Sequence, residues 1–302
     1  MLYPTYTVNG TAMQDAGGRW HEHSEMQILP VHPGMQAHTL NIAGVNGEIM
    51  LPSTNLEAQD FVLDMVVNAV GSDGKIPGNI AENDANLFHN TQELLRYFRI
   101  SRMTQGGGAI IQRKIDASTT HTAIGFLIAA AEVDREAYSD WARIKYVFRI
   151  PSGLWRGRKV RQKTTILDGS LETMRGLATS TAPITDAKVT LTGPFEIIRV
   201  MNQYGNGFEL KPEENFVAGE AVTVDCKTWD VSKKFSVEVG DTDIKPPTTG
   251  YSSSSMIHQV GNSSASALAL MPDLVGAYVL TTGEARVAGQ TSIIIDTAEA
   301  FL

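Results

Sequence analysis

The sequence has almost no cysteine: Cys226 is the only one among 302 residues. A single cysteine excludes an intramolecular disulfide and any metal site built on several thiolates. Long apolar runs are missing as well, because the longest, residues 124–133, is too short to cross a bilayer. No charged and apolar leader segment opens the chain. We therefore expect a protein made in soluble form, with no membrane insertion and no need for an oxidising compartment.

Basic residues are fewer than acidic ones, and the difference is uneven along the chain. Residues 1–180 hold 17 basic and 18 acidic side chains, whereas residues 181–302 hold 8 and 15. This asymmetry predicts a domain boundary near residue 180. Because contacts to phosphates come from Lys and Arg, it also argues against nucleic-acid binding by the second half. A hydrophobic content of 42% over this length is typical of two globular domains.

One helix is predicted in the first half. A stripe of residues at helical spacing indicates an amphipathic helix on a flat apolar surface; it consists of Leu87, Phe88, Thr91, Leu94, Leu95 and Phe98. Asn83 or Asp84 is the predicted N-cap, since a short polar side chain accepts hydrogen bonds from first-turn amides.

The remaining first-half elements are predicted to be strands, at residues 26–31, 38–43, 61–67, 109–115, 122–133 and 142–150. In the last of these, every second residue is large and apolar, which is typical of a half-buried strand; these residues are Ile144, Tyr146, Phe148 and Ile150.

The second half reads as entirely β from residue 187. Its predicted strands are residues 189–191, 196–200, 207–210, 221–224, 235–239, 277–280 and 291–295. Turns at short intervals favour a β-sandwich or jelly roll, with a Ser-rich loop at 252–255 and 262–267. The predicted organisation is a mainly β (α+β) chain: a domain at 1–156, a linker or long loop at 157–182, and a sandwich at 183–302.

Candidate chemical sites are weak. His21 and His23 would share a strand face, and His32 or His38 could complete a metal site, but no carboxylate or cysteine lies at a recognisable spacing. Ordinary surface or interface histidines are the favoured interpretation. The glycines at 106–108 lack the Lys-Ser/Thr of a phosphate loop and precede a strand, which favours a plain loop.

Nucleophilic and acid-base chemistry find no better support. Cys226 ends a predicted strand without the small-residue elbow that exposes a nucleophile. The acidic pairs are interpreted as solvated turns; they are Asp241 with Asp243, and Glu213 with Glu214. We assign no catalytic, cofactor-binding or metal-ligating residue, and expect no enzyme and no cofactor.

The basic run VFRIPSGLWRGRKVRQK, residues 147–163, stands out in an acidic chain. Nucleic-acid contact is one interpretation, but Trp155 is the only aromatic near its centre, whereas single-strand binders stack bases on repeated aromatics. A solvated strand edge and linker is favoured, with charges facing the acidic second domain or a neighbouring subunit.

Several short motifs, in order along the chain, resemble those of siphophage distal tail proteins. The run of residues 146–156, YVFRIPSGLWR, resembles the end of that family's N-terminal domain. The resemblance to the family's C-terminal domain lies in segments 205–210, 217–225, 229–231, 271–274 and the closing strand 285–300.

The resemblance implies a tail-tube-like domain followed by a galectin-like β-sandwich. It implies a virion protein of the tail tip, assembled in the host cytoplasm, that forms a hexameric ring between the tail tube protein and the tail-tip or baseplate hub protein. DNA would pass through its channel during ejection. Another minor tail or tail-tube protein, or a carbohydrate-binding module for the host surface in which Trp229 could stack a sugar, remains an alternative.

Overall fold

The computed structural model describes twelve stretches of the chain, namely residues 5–23, 38–40, 49–51, 57–105, 108–135, 139–165, 171–211, 216–228, 230–234, 257–260, 268–284 and 291–301. These stretches fall into two compact units. The first unit holds the described residues of 1–36 and 55–157, and the second those of 37–54 and 158–301.

The chain order of the elements is mainly β. The first part contains β1 (Thr5–Val8), β2 (Thr11–Ala12), β3 (Trp20–Glu22), β4 (His38–Leu40), β5 (Ile49–Leu51), β6 (Gln59–Asn68), α1 (Ile80–Gln105), β7 (Ala109–Lys114), β8 (Thr120–Asp134) and β9 (Trp141–Ile150). The second part contains β10 (Trp155–Thr165), β11 (Leu171–Met174), a 3₁₀ turn (Arg175–Leu177), β12 (Lys188–Thr192), β13 (Ile197–Asn202), β14 (Gly207–Leu210), β15 (Ala221–Asp225), β16 (Asp230–Lys234), β17 (Ile257–Val260), β18 (Ala277–Glu284) and β19 (Ser292–Phe301). The predicted mainly β chain with one helix is confirmed for the described residues.

The long strand β8 joins the two sheets of the first unit. Its first half pairs with β7, which in turn pairs with β1. Its second half, from Phe126 onward, pairs with β9, and β9 pairs with β6 and β6 with β3. Two register shifts in the β8–β9 ladder, the first between Leu127 and Ala129, bend the strand.

The alternation predicted for residues 142–150 is confirmed in β9. Ile144, Tyr146, Phe148 and Ile150 are all buried, and the residues between them point outward. Ten consecutive residues of β9 pair with ten of β6, from Asn68 opposite Trp141 to Gln59 opposite Ile150. This ladder is the centre of the first unit.

The helix packs on the buried side of this sheet, but its inward face differs from the prediction. Leu87, Leu94 and Phe98 are buried as expected, whereas Phe88 is 62% exposed. Asn90 takes the inward position instead, and its side-chain amide donates to the carbonyls of Asn68 and Val70 at 2.8 and 3.0 Å. These two hydrogen bonds fix the rotation of the helix about its axis.

The predicted N-cap is also wrong by one turn. The helix begins at Ile80, and the side-chain oxygen of Asn79 accepts a hydrogen bond from the amide of Glu82 at 2.8 Å. Asn83 and Asp84 therefore lie inside the first turns. The preceding Pro77 and Gly78 make the chain non-helical up to Asn79, which leaves that residue as the cap.

The second unit consists mainly of two antiparallel sheets. One has the order β16-β15-β12-β19-β10, and the other the order β11-β18-β13-β14-β17. Residues of both sheets line one small cavity of about 10 Å³, among them Ile293 and Ile295 of one sheet and Val279 and Thr281 of the other. The two sheets thus face each other, as a sandwich requires.

Residues 157–182, predicted as a linker or long loop, contain regular structure. Strand β10 runs to Thr165, β11 pairs with β18, and the 3₁₀ turn follows. The sequence of β10 shows no apolar-polar alternation, because its outer side carries charged residues and Gly157 and Gln162 lie between them. The chain passes from the first unit to the second within β10.

Several predictions lie wholly or partly outside the described residues. These are the strands at 26–31 and 235–239, the Ser-rich loop, and the ends of the strand at 38–43 and of the closing strand at 285–300.

Candidate assembly surfaces

The start of the basic run, and Arg143 just before it, are paired within their own sheet. Arg143 donates three hydrogen bonds to the carboxylate of Asp64 on β6, the shortest at 2.6 Å. Arg149 donates to Asp60 on the same strand at 2.8 and 3.1 Å. The Arg149 pairing holds the pKa of Asp60 below its usual range. Arg143 and Arg149 thus neutralise two carboxylates of the first unit.

The second part of the run meets the closing strand β19. The amide of Arg158 donates to Glu299 at 2.9 Å, and the guanidinium lies 3.8 Å from the same carboxylate. The Arg161 guanidinium lies 3.4 Å from Asp296. The prediction that these charges meet the acidic second half is confirmed for Arg158 and Arg161, while Arg143 and Arg149 find their partners in the first unit.

Trp155, the aromatic residue of this run, belongs to the core of the first unit. It is 1% exposed, and the ring of Phe61 meets it edge-on with centroids 5.4 Å apart. Arg113 stacks on it from β7. Trp155 is therefore unavailable for stacking a base or a sugar.

A first apolar patch covers the outward side of β7 and β8. Ile110 and Ile124 are direct partners across the ladder and are 49% and 57% exposed. Phe126 follows on the same side, and Ile128 at the bulge is exposed too. We call these four residues the sheet patch. The sequence places Ile110 and Ile111 on opposite faces of a strand, but which of them is exposed depends on what covers each face of that strand.

Basic side chains flank the sheet patch. Lys114 lies on the outward side of β7, Arg156 pairs with Thr122 one step from Ile124, and Arg149 pairs with Phe126. Arg149 is paired with Asp60. The patch is thus apolar, with basic residues at its edge.

A second apolar patch lies on the helix and the loop before it. Ile76, Ile80 and Phe88 are each about half exposed or more; we call them the helix patch. Asp84, which lies between Ile80 and Phe88 in the sequence, is paired with Arg135.

Two tight turns of the second unit carry large exposed side chains. Tyr204 is 68% exposed in the β13–β14 turn, and Leu274 is 95% exposed in the turn before β18. Asn202 accepts hydrogen bonds from the amides of Tyr204 and Asn206, and its own amide donates to Ala269 at 2.8 Å. The polar groups of these turns are engaged in holding the turns themselves.

The candidate chemical residues are not brought together. His21 lies in β3, where burial lowers its pKa, His38 lies in β4, and His32 is outside the described residues. Cys226 is buried after β15, and burial raises the pKa of its thiol to about 12. Within the described stretches, no three His, Cys, Asp or Glu side chains lie close enough to hold a metal ion.

The other candidates give no site either. Gly108 lies at the start of β7, where an added Cβ would come within 2.7 Å of the carbonyl of Gly125, so it permits close strand pairing. Glu213, Glu214, Trp229, Asp241 and Asp243 lie outside the described residues. Among the helices that are described, none is long and apolar enough to span a membrane.

A half-buried carboxyl group in the first unit has a raised pKa. Glu22 of β3 accepts a hydrogen bond from the backbone amide of Tyr6 at 2.7 Å and so fastens β3 to β1. Burial raises the pKa of Glu22 to about 7, and the bond from Tyr6 opposes that shift. Nothing in the local sequence indicates this shift, because the burial comes from the pairing of distant strands.

Comparison with known proteins gives one informative structure. The crystal structure of SPP1 Dit (gp 19.1), a paradigm of the hub adsorption apparatus in phages infecting Gram-positive bacteria, is similar over 100% of both chains, with a TM-score of 0.56 and 15% sequence identity. The phage p2 baseplate in its activated conformation with Sr also aligns over 100% of both chains, at a TM-score of 0.36 and 8% identity. No protein-family model and no curated protein matches the chain. The chain thus has the fold of a phage hub protein, which confirms the resemblance at the level of the fold.

Proposed function

We propose that this chain is a structural virion protein of a long-tailed phage, forming a ring at the distal end of the tail tube. The observation that carries the proposal is the likeness of fold to SPP1 Dit over the whole of both chains. The ring joins the tail tube to the tail-tip or baseplate proteins, and DNA passes through its channel during ejection.

The two units take different parts in this proposal. The tail-tube-like domain, residues 1–156, forms the ring, which has six copies. The domain at 183–302 is a galectin-like sandwich. The ion pairs of Arg143, Arg149, Arg158 and Arg161 with carboxylates of the same chain support a structural use of the basic run.

The proposal includes no catalytic activity. The burial of Cys226 supports this, because a nucleophilic thiol needs access and a lowered pKa, and this thiol has neither.

Light scattering of the purified chain across a concentration series tests the ring. One chain has a mass of 32.8 kDa, and we expect a defined species of six chains at high concentration. A mass of one chain at every concentration would count against self-assembly.

Carbohydrate binding by the second unit is the second candidate function. The observation in its favour is Tyr204, an aromatic ring that is 68% exposed on a rigid turn, since sugars stack on such rings. A glycan array tests it: saturable binding that Tyr204→Ala or Trp229→Ala abolishes would support this function. Binding that neither substitution changes would exclude these two aromatics.

A further inference from the structure

Two buried basic side chains touch in the core of the first unit. Arg113 of β7 and His121 of β8 are direct partners across the ladder, and each is 7% exposed. The Nη2 atom of Arg113 lies 3.3 Å from Nδ1 of His121. Because a guanidinium only donates hydrogen bonds, Nδ1 must accept this one. The contact therefore requires a neutral His121 ring that carries its proton on Nε2.

The surroundings of Arg113 supply no counter-charge. Its guanidinium carbon lies 4.6 Å from the centroid of the Trp155 ring, and its Nε atom has no hydrogen-bond partner among the described residues. Within the same part of the chain, no carboxylate contacts it. Burial lowers the pKa of this guanidinium, but an arginine remains charged wherever a histidine titrates. A proton added to His121 would thus place a second positive charge beside an uncompensated one.

The other titratable side chains on the inner face of the first unit are neutral in mild acid. Tyr6 of β1 lies opposite Arg113, and burial raises the pKa of its hydroxyl to about 12. Glu22 of β3 binds the amide of Tyr6, and burial raises its pKa to about 7. Burial also raises the pKa of Tyr146 on β9. None of the three supplies a negative charge below pH 7.

The neighbouring acids are engaged elsewhere. Asp116, in the turn between β7 and β8, is exposed and accepts hydrogen bonds from Ser118 and Thr119 of that turn. Acids on β6 and α1 are bound by other arginines; these pairs are Asp60 with Arg149, Asp64 with Arg143, and Glu93 with Arg19. From β10, Arg156 adds a further basic group on the outer face.

We propose that His121 is an acid-sensitive switch on the attachment of β10 to the first unit. The neutral ring accepts a hydrogen bond from Arg113 and so holds the guanidinium on the ring of Trp155, the first residue of β10. Protonation makes Nδ1 a donor and sets two positive charges side by side. The contact then breaks, and Trp155 loses its stacking partner. The switch operates within one copy of the chain and is independent of the proposed ring.

The direction of the effect follows from proton linkage. When the start of β10 opens, His121 behaves as an ordinary histidine and takes its second proton near pH 6.5, at about the value of a free side chain. The closed form resists this proton. Below about pH 6.5 the open form therefore binds more protons, and the local opening becomes up to about tenfold more favourable for each pH unit.

Three substitutions isolate the switch, each made in the Glu22→Gln background because Glu22 titrates in the same range. His121→Asn keeps an acceptor two bonds from Cβ, as Nδ1 is, but does not titrate. Arg113→Met keeps an unbranched side chain for the Trp155 ring and removes the charge. His89→Asn is the matched control, because His89 is exposed on α1.

Hydrogen exchange read by mass spectrometry at pH 7 and pH 5.5 measures the opening, after correction for the intrinsic effect of pH on exchange. We expect the amides of residues 155–160 to lose protection in acid in the Glu22→Gln protein and in its His89→Asn variant. His121→Asn and Arg113→Met should keep the same protection at both values. The peptide that covers β12 should be unchanged in all four proteins.

Equal loss of protection at residues 155–160 with and without His121→Asn would overturn the switch, as would a loss spread evenly over β12. If His121→Asn fails to fold, the nitrogen chemical shifts of the imidazole in the unsubstituted chain decide instead. We expect a neutral ring with an unprotonated Nδ1 at pH 7 that gains its second proton at a higher pH in Arg113→Met. A ring that is charged at pH 7, or protonated on Nδ1, would contradict the proposal.

Discussion

The guanidinium carbon of Arg113 lies 4.6 Å from the centroid of the Trp155 ring. Both residues are buried. Phe61 packs edge-on against Trp155, and the ring of Tyr6 lies 5.2 Å from that of Phe61. Trp155 is the first residue of β10, so this stacking fastens the exit of the chain to the core of the first unit. The Trp-Arg motif that prompted the family resemblance is thus a structural anchor.

We expect Trp155→Ala to destabilise the protein by about 3–5 kcal/mol, because it leaves a large cavity and removes the ring on which the buried Arg113 guanidinium stacks. Urea unfolding followed by circular dichroism measures the change. Trp141→Ala is the control, since Trp141 is 37% exposed and should cost far less. Equal effects of the two substitutions would contradict the anchoring role of Trp155.

The two aspartates of β6 should differ in their value to stability. The carboxylate of Asp64 is buried against Arg143, so we expect Asp64→Ala to cost about 3 kcal/mol because a buried ion pair loses one of its two charges. Asp60 and Arg149 are exposed, and Asp60→Ala should cost less than about 1 kcal/mol. The same unfolding assay compares them. The double variant Asp64→Leu with Arg143→Met should recover most of the free energy of unfolding lost in Asp64→Ala. If it does not, the two side chains contribute to stability beyond neutralising each other's charge.

Glu22 should make stability depend on pH. The folded protein keeps the proton of this carboxyl up to about pH 7, whereas an ordinary glutamate loses it near 4.5. Between these values the folded state binds more protons, so the contribution of this group falls as pH rises from 4.5 through 7. We expect Glu22→Gln to flatten this part of the profile in thermal unfolding, and the exposed Glu82→Gln to leave it unchanged. A profile that keeps its slope in Glu22→Gln would show that another group titrates there.

Two buried threonines of the second unit should respond in opposite ways to removal of the hydroxyl. The hydroxyl of Thr291 donates to the carbonyl of Pro194 at 2.7 Å, so Thr291→Val should cost about 1–3 kcal/mol because that carbonyl loses its partner. Thr281 lines the small cavity between the sheets, and its buried hydroxyl finds no hydrogen-bond partner among the described residues. Thr281→Val should keep or raise the midpoint of thermal unfolding. A loss equal to that of Thr291→Val would indicate a hydrogen bond to Thr281.

Strand positions were the most predictable part of the fold. The pattern of β9 is strictly alternating, so its buried residues followed from the sequence, and β14 begins and ends where its turn residues indicate. Side-chain periodicity reports burial directly in such strands.

The helix face and β10 were harder, for physical reasons that involve distant residues. Phe88 is more apolar than Asn90, yet the carbonyls at the end of β6 bind Asn90 and turn Phe88 outward. Strand β10 carries mostly charges because its partners in β19 are acidic, which removes the hydrophobic alternation.

The assembly surfaces could be predicted least. Local sequence does not reveal that Ile110 and Ile124 share an outward face, because this depends on the β7–β8 register. The motif at residues 146–156 indicated the fold, while the exposed patches emerge only from the folded chain.

Electron microscopy of the assembled species tests the central proposal most directly. Class averages of the light-scattering peak should show closed rings of six copies around a central hole wide enough for double-stranded DNA. Particles without a hole, or open chains without closure, would contradict a ring through which the genome passes.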